Sequence, residues 1–231
     1  MAGDQNRVAT KAGISMGRQK LKRYAKLAGL ANVLRLPHDL KGKWGADYFK
    51  NDHPLTLELA CGKGEYTVAL GRRFPQRNFI GMDSKGDRLW IGAHAALQEH
   101  LSNAAFIRGL IEDLPDFFAP QEVAEIWIPF PEPHPKRAKI KSRLTSSPFL
   151  NCYRQVLAGG GRIHFKTDDA DLFAYTLKIL SGEQSVIHEL HEDLHHAVPE
   201  NDLRTIKTTY ERRYLAAGKT IKYACFSFKN V

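Results

Sequence analysis

Apolar positions along this chain follow two alternating rhythms. Residues 55–60 (LTLELA), 77–83 (RNFIGMD), 104–109 (AAFIRG), 123–128 (VAEIWI) and 161–166 (GRIHFK) are short runs with the length and side-chain content of buried strands. Between them, residues 64–73, 86–100, 148–157 and 169–181 carry apolar positions at the spacing of amphipathic helices. Strands that alternate with helices need crossover connections, and right-handed crossovers build a mainly parallel sheet covered on both faces. Two later runs, 184–190 and 221–229, follow the last crossover and are expected to form an antiparallel edge. The pattern predicts a doubly wound α/β fold, with no internal repeat and no low-complexity tract.

The first 50 residues break this rhythm. They hold no convincing strand, but MGRQKLKRYAKL from Met16 reads as a basic amphipathic helix. Residues 1–15 are weakly patterned and are read as a tag or a disordered tail, with Met16 the candidate natural start. The expected division is a basic N-terminal extension over 1–50 and a single catalytic-type domain over 51–231.

Composition narrows the setting. The chain has 231 residues, enough for one substantial core, and three cysteines without a C-x-x-C pair. No run reaches the ~18 apolar residues of a membrane span, and no export pattern opens the chain. These features point to a soluble protein of a reducing cytoplasm.

Charge adds a partner. The net charge is +9, yet it is unevenly placed: residues 1–50 hold 11 Lys or Arg against 3 Asp or Glu, residues 129–147 hold 5 against 1, and residues 204–222 hold 6 against 1. An acidic body carrying three basic segments is the electrostatic footprint expected for a polyanion such as nucleic acid. Basic tails that only aid solubility are the plainer explanation.

Candidate chemistry lies at the carboxyl ends of the strands, where ligands sit in open parallel sheets. The first strand runs into ELACGKGEYT, Glu58 to Thr67, whose Gly62 and Gly64 let backbone approach a ligand closely. The dinucleotide fingerprint G-x-G-x-x-G is not met, since Ala60 and Thr67 occupy its outer positions. Asp83 ends the second strand, placed to accept hydrogen bonds from two ribose hydroxyls. Turn and acid together indicate a nucleoside cofactor. S-adenosylmethionine fits better than a nicotinamide dinucleotide, because it has no phosphates to cradle and Glu58 offers its ammonium a counter-charge.

After the fourth strand comes IPFPEPHPKRAKIKSRLT, Ile128 to Thr145. Four prolines alternate through its first half and stiffen the backbone around one carboxylate, Glu132. Lys136, Arg137, Lys139, Lys141 and Arg143 follow, suited to successive phosphates. The fifth strand ends in HFKTDD, with Lys166, Thr167 and Asp168 at the same edge, and TTYERR runs from Thr208 to Arg213. One decoy is HEDLH, His191 to His195, which matches a zinc-peptidase spacing but sits between a strand and Pro199 in a run too short for a confident helix.

In this order, ELACGKGEYT, PFPEPHPKRAKIKSRLT, HFKTDD and TTYERR resemble the tRNA (guanine-N7-)-methyltransferase family from about Met16 to the end. The resemblance implies a seven-stranded, mainly parallel, Rossmann-like S-adenosylmethionine-dependent methyltransferase fold. It implies methylation of guanine N7 in tRNA, at guanosine 46 of the variable loop, by a monomer or weak homodimer without an obligate protein partner. Glu58, Gly62, Gly64 and Asp83 align with cofactor-binding positions. A further family carboxylate falls near Leu110, so Glu112 or Asp113 is expected to substitute. The catalytic acid, usually Asp, aligns with Glu132. Contacts to tRNA are expected at Lys136, Lys139, Arg143, Asp168, Thr208, Thr209, Tyr210 and Glu211. Ala60 stands where the family usually has glycine.

This assignment makes chemical sense of one acid among many cations. Guanine N7 presents an in-plane lone pair and no proton, so no base is needed to unmask it. Positive charge grows on the ring as the methyl arrives, and a carboxylate stabilises it while accepting hydrogen bonds from N1 and the exocyclic amine. Two other classes compete with this reading. A non-catalytic RNA-binding module would lack saturable cofactor binding, and an exocyclic-amine methyltransferase would carry an [Asn/Asp]-Pro-Pro-aromatic tetrad where this chain has PFPEP.

Overall fold

The computed structural model describes residues 19–197 and 206–229. Residues 1–18, including Met16, lie outside them. Among the described residues the sheet has eight strands: β1 (Val33–Leu34), β2 (Leu55–Leu59), β3 (Asn78–Asp83), β4 (Ala104–Arg108), β5 (Val123–Pro129), β6 (Leu157–Thr167), β7 (Ser185–His191) and β8 (Lys222–Phe228). Their order is β1-β4-β3-β2-β5-β6-β8-β7. Pairings from β1 to β6 are parallel, while β8 runs antiparallel between β6 and β7. The antiparallel strand is thus internal, and β7 forms the edge.

The eighth strand is a departure from the seven expected. It comes from the first 50 residues, where two residues pair with β4 through Val33↔Phe106 and Leu34↔Ile107. So short a strand leaves no periodic signal in sequence, because its definition lies wholly in its partner. The same segment supplies Trp44, 1% exposed, whose indole donates to the Phe117 carbonyl at 2.9 Å and stacks on Phe118. Burying an aromatic of this size stabilises by roughly 2–3 kcal/mol.

Helices cover both faces. These are α1 (residues 19–27), α2 (Glu65–Arg73), α3 (Gly86–Gln98), α4 (Leu114–Phe117), α5 (Ser147–Val156), α6 (Ala170–Gly182), α7 (Leu194–Ala197) and α8 (Thr209–Ala216). Period-two alternation sorts the strand side chains between faces: Leu57, Leu59, Ile126 and Ile128 join one core, while Trp127 joins a second with Tyr66 of α2. Glu58, between Leu57 and Leu59, therefore points to the α2 face. Strand order reverses between β2 and β5, and a crevice is expected at such a switch point beyond the carboxyl ends. The glycine turn follows β2 and the proline loop follows β5, so the two flank it.

Candidate active site

The turn after β2 winds through three left-handed residues, Ala60 (φ 52°), Gly62 (φ 56°) and Gly64 (φ 64°). At Gly64, which caps α2, a Cβ would collide with the Phe106 ring, so only glycine lets α2 settle there. At Gly62 a Cβ would meet nothing within 4 Å, which leaves this stretch of backbone open to the crevice.

Two carboxylates hold the turn. Asp83 accepts from the Gly62 amide at 2.9 Å through Oδ2 and from the Lys85 amide at 2.7 Å through Oδ1. Glu58 is 3% exposed and accepts from the Thr67 amide at 2.8 Å and the Thr67 hydroxyl at 2.6 Å. Burial pushes its carboxyl up to about 8, outweighing the Thr67 hydrogen bonds.

Beyond the turn lie two adjoining cavities. One of about 300 Å3 is lined by Glu58, Gly62, Asp83, Pro131, Glu132 and Tyr210, among others. The other, about 240 Å3, is lined by Gly109, Leu110, Ile111, Glu112, His134 and Phe149. They share Ala60, Asp83 and Ser84. The two cavities joined at Asp83 have the elongated shape that an extended nucleoside would need. Of the two acids expected near Leu110, Glu112 lines the second cavity, and Asp113 is not among its lining residues.

The proline loop is strained as well as stiff. Phe130 (φ 53°) and His134 (φ 43°), each just before a proline, sit in the left-handed region, which non-glycine residues occupy at a cost of order 1–3 kcal/mol. Two tethers hold it. The Phe130 amide donates to the Lys166 carbonyl at 2.8 Å, and Arg143 Nε donates to the Pro133 carbonyl at 2.9 Å. Glu132 is exposed and lines the larger cavity. Lys136, Arg137, Lys139 and Lys141 are exposed on the short turn that follows.

Arg143, expected to meet tRNA, is 7% exposed; its guanidinium lies 4.5 Å from the Tyr175 ring centroid and its donors serve the loop's own carbonyls, so it braces the loop. Glu211, also expected to meet tRNA, is fully buried, with Oε1 2.6 Å from Lys166 Nζ and 2.9 Å from His195 Nε2.

The remaining TTYERR positions build the start of α8. The Thr208 hydroxyl accepts from the Glu211 amide at 3.1 Å, an N-cap. Thr209 is bound to Glu65, while Tyr210 is 37% exposed and lines the larger cavity. Asp168 pairs with Lys219 at 2.5 Å. Burial first, then the Asp168 carboxylate, raises the Tyr214 hydroxyl, with smaller contributions from Tyr210 and Glu132, which places these groups within electrostatic reach. Glu65 escaped the sequence reading, although an acid in the first turn of α2 was a visible sign.

The HEDLH decoy dissolves. His191 ends β7 and bonds Glu189, whereas His195 lies in α7 and faces Glu211. Among the described residues no group of three or more His, Cys, Asp or Glu is placed to hold a metal.

The architecture has solved counterparts. "Structure of an Antibiotic Related Methyltransferase" aligns with a TM-score of 0.62 at 15% identity, over 80% of this chain and 92% of that one. A 16S rRNA (adenine(1408)-N(1))-methyltransferase from Catenulisporales acidiphilia, solved with cosubstrate SAM, aligns at 0.56 and 16% identity, over 80% and 88%. These likenesses show the fold: a Rossmann-like, doubly wound α/β sheet.

A family model described as "Putative methyltransferase" matches residues 52–224. The tRNA (guanine-N(7)-)-methyltransferase of Porphyromonas gingivalis is 52% identical over 188 residues, 81% of this chain and 76% of its own. That of Bacteroides thetaiotaomicron is 44% identical over 219 residues, 91% and 86%. The chain belongs to the tRNA (guanine-N(7)-)-methyltransferase family.

Proposed function

We propose that this chain transfers a methyl group from S-adenosylmethionine to N7 of a guanosine in tRNA, at guanosine 46 of the variable loop. One observation carries the reading: Glu132, on a braced proline loop, opens into the same cavity as Glu58 and Asp83, with exposed lysines just beyond. When bound, the cofactor supplies an electrophilic methyl.

The protein's residues do the rest. Glu58 would hold the ammonium of the methionine moiety, Asp83 the ribose and Glu112 the base side, and the open backbone at Gly62 would leave room between them. Glu132 accepts hydrogen bonds from guanine N1 and its amine and balances the charge gained as N7 is alkylated. Tyr210, which lines the same cavity, offers a face against which a base displaced from its stack can lie. Lys136 and Lys139 hold phosphates.

The protein is proposed to act in the cytoplasm, as a monomer or weak homodimer. Its free cysteines, Cys61, Cys152 and Cys225, suit a reducing compartment, and no helix among the described residues is long and apolar enough to cross a membrane.

Treating tRNA with the protein and isotopically labelled cofactor, then digesting and weighing the fragments, reports reaction, base and position together. Label on N7 of a variable-loop guanine is expected. Label on another base, or none, refutes the assignment. In Glu132→Gln, single-turnover transfer with saturating tRNA is expected to fall on the order of a hundredfold.

A further inference from the structure

Lys166 has no exposed surface, yet its ammonium is charge-paired inside the protein. It stands at the end of β6, beneath the crevice, and bonds in two directions. Its backbone carbonyl accepts from the Phe130 amide at 2.8 Å, two residues before Glu132. Its Nζ donates to Glu211 Oε1 at 2.6 Å and to the Tyr66 hydroxyl at 2.8 Å. Glu211 follows Tyr210 in the first turn of α8, so one residue grips two elements that line the larger cavity, the proline loop and α8. The same Nζ lies 5.8 Å from the Phe130 ring centroid and 5.5 Å from that of Tyr66.

Stability does not account for the pair. Desolvating two charges cancels most of their attraction, and apolar replacements of similar volume are often neutral or better. What a buried pair supplies is direction: an ammonium and a carboxylate this close tolerate few relative orientations. Glu211 Oε1, shared between Lys166 Nζ at 2.6 Å and His195 Nε2 at 2.9 Å, fixes the carboxylate from two sides.

We infer that Lys166 and Glu211 are positioning residues that fix the distance between Glu132 and Tyr210, and so set the rate of methyl transfer without touching cofactor or base. This rests on the reading given under Proposed function. The pair acts through the loop on one side and through the first turn of α8 on the other. A small displacement of either wall shifts the base relative to the carboxylate, and misplacement of about 1 Å costs on the order of a hundredfold in rate.

The test is the double variant Lys166→Met with Glu211→Gln, which removes both charges together and leaves none stranded. Thermal melting, cofactor affinity by calorimetry, tRNA affinity by filter binding and the single-turnover rate at saturating cofactor and tRNA are measured on the full chain. Melting within a few degrees of wild type is expected, with both affinities within about threefold and the rate at least about thirtyfold lower. A double variant that melts normally and transfers at nearly the wild-type rate overturns the inference. So does one that fails to fold, which makes the pair a stability element, or one that loses affinity instead of rate. Absence of transfer by the wild-type chain itself would instead refute the tRNA reading, and this inference with it.

Discussion

Glu65 accepts from both donors of Thr209: the amide donates to Oε2 at 2.8 Å and the hydroxyl to Oε1 at 2.5 Å. The first residue of α2 is thereby fastened to the first residue of α8, and Arg212 adds a contact to Glu65 at 3.3 Å. The glycine turn after β2 and the helix that carries Tyr210 are one mechanical unit.

Glu65→Ala is therefore expected to loosen α8 at its start while sparing the glycine turn, whose own bonds run to Asp83 and Glu58. Hydrogen exchange should show faster exchange at Thr209, and KM for tRNA should rise about three- to tenfold with cofactor affinity little changed, since a charge-assisted bond is worth ~1.5–3 kcal/mol. Unchanged protection across residues 206–216 would show that the clamp is dispensable.

Glu58 gives stability a dependence on pH. Its carboxyl titrates near 8 in the folded protein against an ordinary 4.5, so across that window the folded state keeps a proton that the unfolded chain has released. Stability from this group is full at the acid end and is lost as pH rises through the window. Glu58→Gln cannot ionise, so its Tm relative to wild type should climb between about pH 5 and pH 8. A constant difference across that range would mean Glu58 ionises as an ordinary surface carboxylate does. Docking of the cofactor's ammonium should expel the proton, seen at neutral pH as a calorimetric enthalpy that varies with buffer.

Ala60 and Gly64 share a turn and should respond oppositely. Relief of the left-handed alanine gains about 1–2 kcal/mol, less ~0.4–1 for the freer unfolded chain, so Ala60→Gly should raise Tm by about 1–3 °C. Gly64→Ala drives a methyl into Phe106 and should lower Tm by more than about 5 °C. A melting curve for each variant decides both.

Lysines and arginine of the basic run should part company. Replacing Lys136 and Lys139 with Ala should weaken tRNA binding and reduce the log–log salt slope by about 1.5. Arg143→Ala should leave that slope alone and lower the rate, because it releases the Pro133 and His134 carbonyls that brace the Glu132 loop. A salt slope that falls for Arg143→Ala as it does for the lysines would place the guanidinium on the RNA after all.

Much of this molecule was legible in one dimension. Alternation within β2 to β6 announced strands covered on both sides, because side chains two apart must share a face. Gly62 and Gly64 were legible because few other residues tolerate a left-handed turn at a strand's end. The prolines around Glu132 were legible because a proline fixes its own φ wherever it stands.

What depends on distant partners was not. Val33 and Leu34 are a strand only because β4 lies beside them. Arg143 read as one more cation in a basic run until the loop folded back and buried it. Glu211 read as a contact to tRNA, since nothing in TTYERR tells that Lys166, 45 residues earlier, ends up 2.6 Å away. Local pattern encodes backbone conformation and which face a residue shows, for these are settled by neighbours in the chain. Pairing of charges across the crevice is settled by closure of the sheet and its helices, and only tertiary structure decided it.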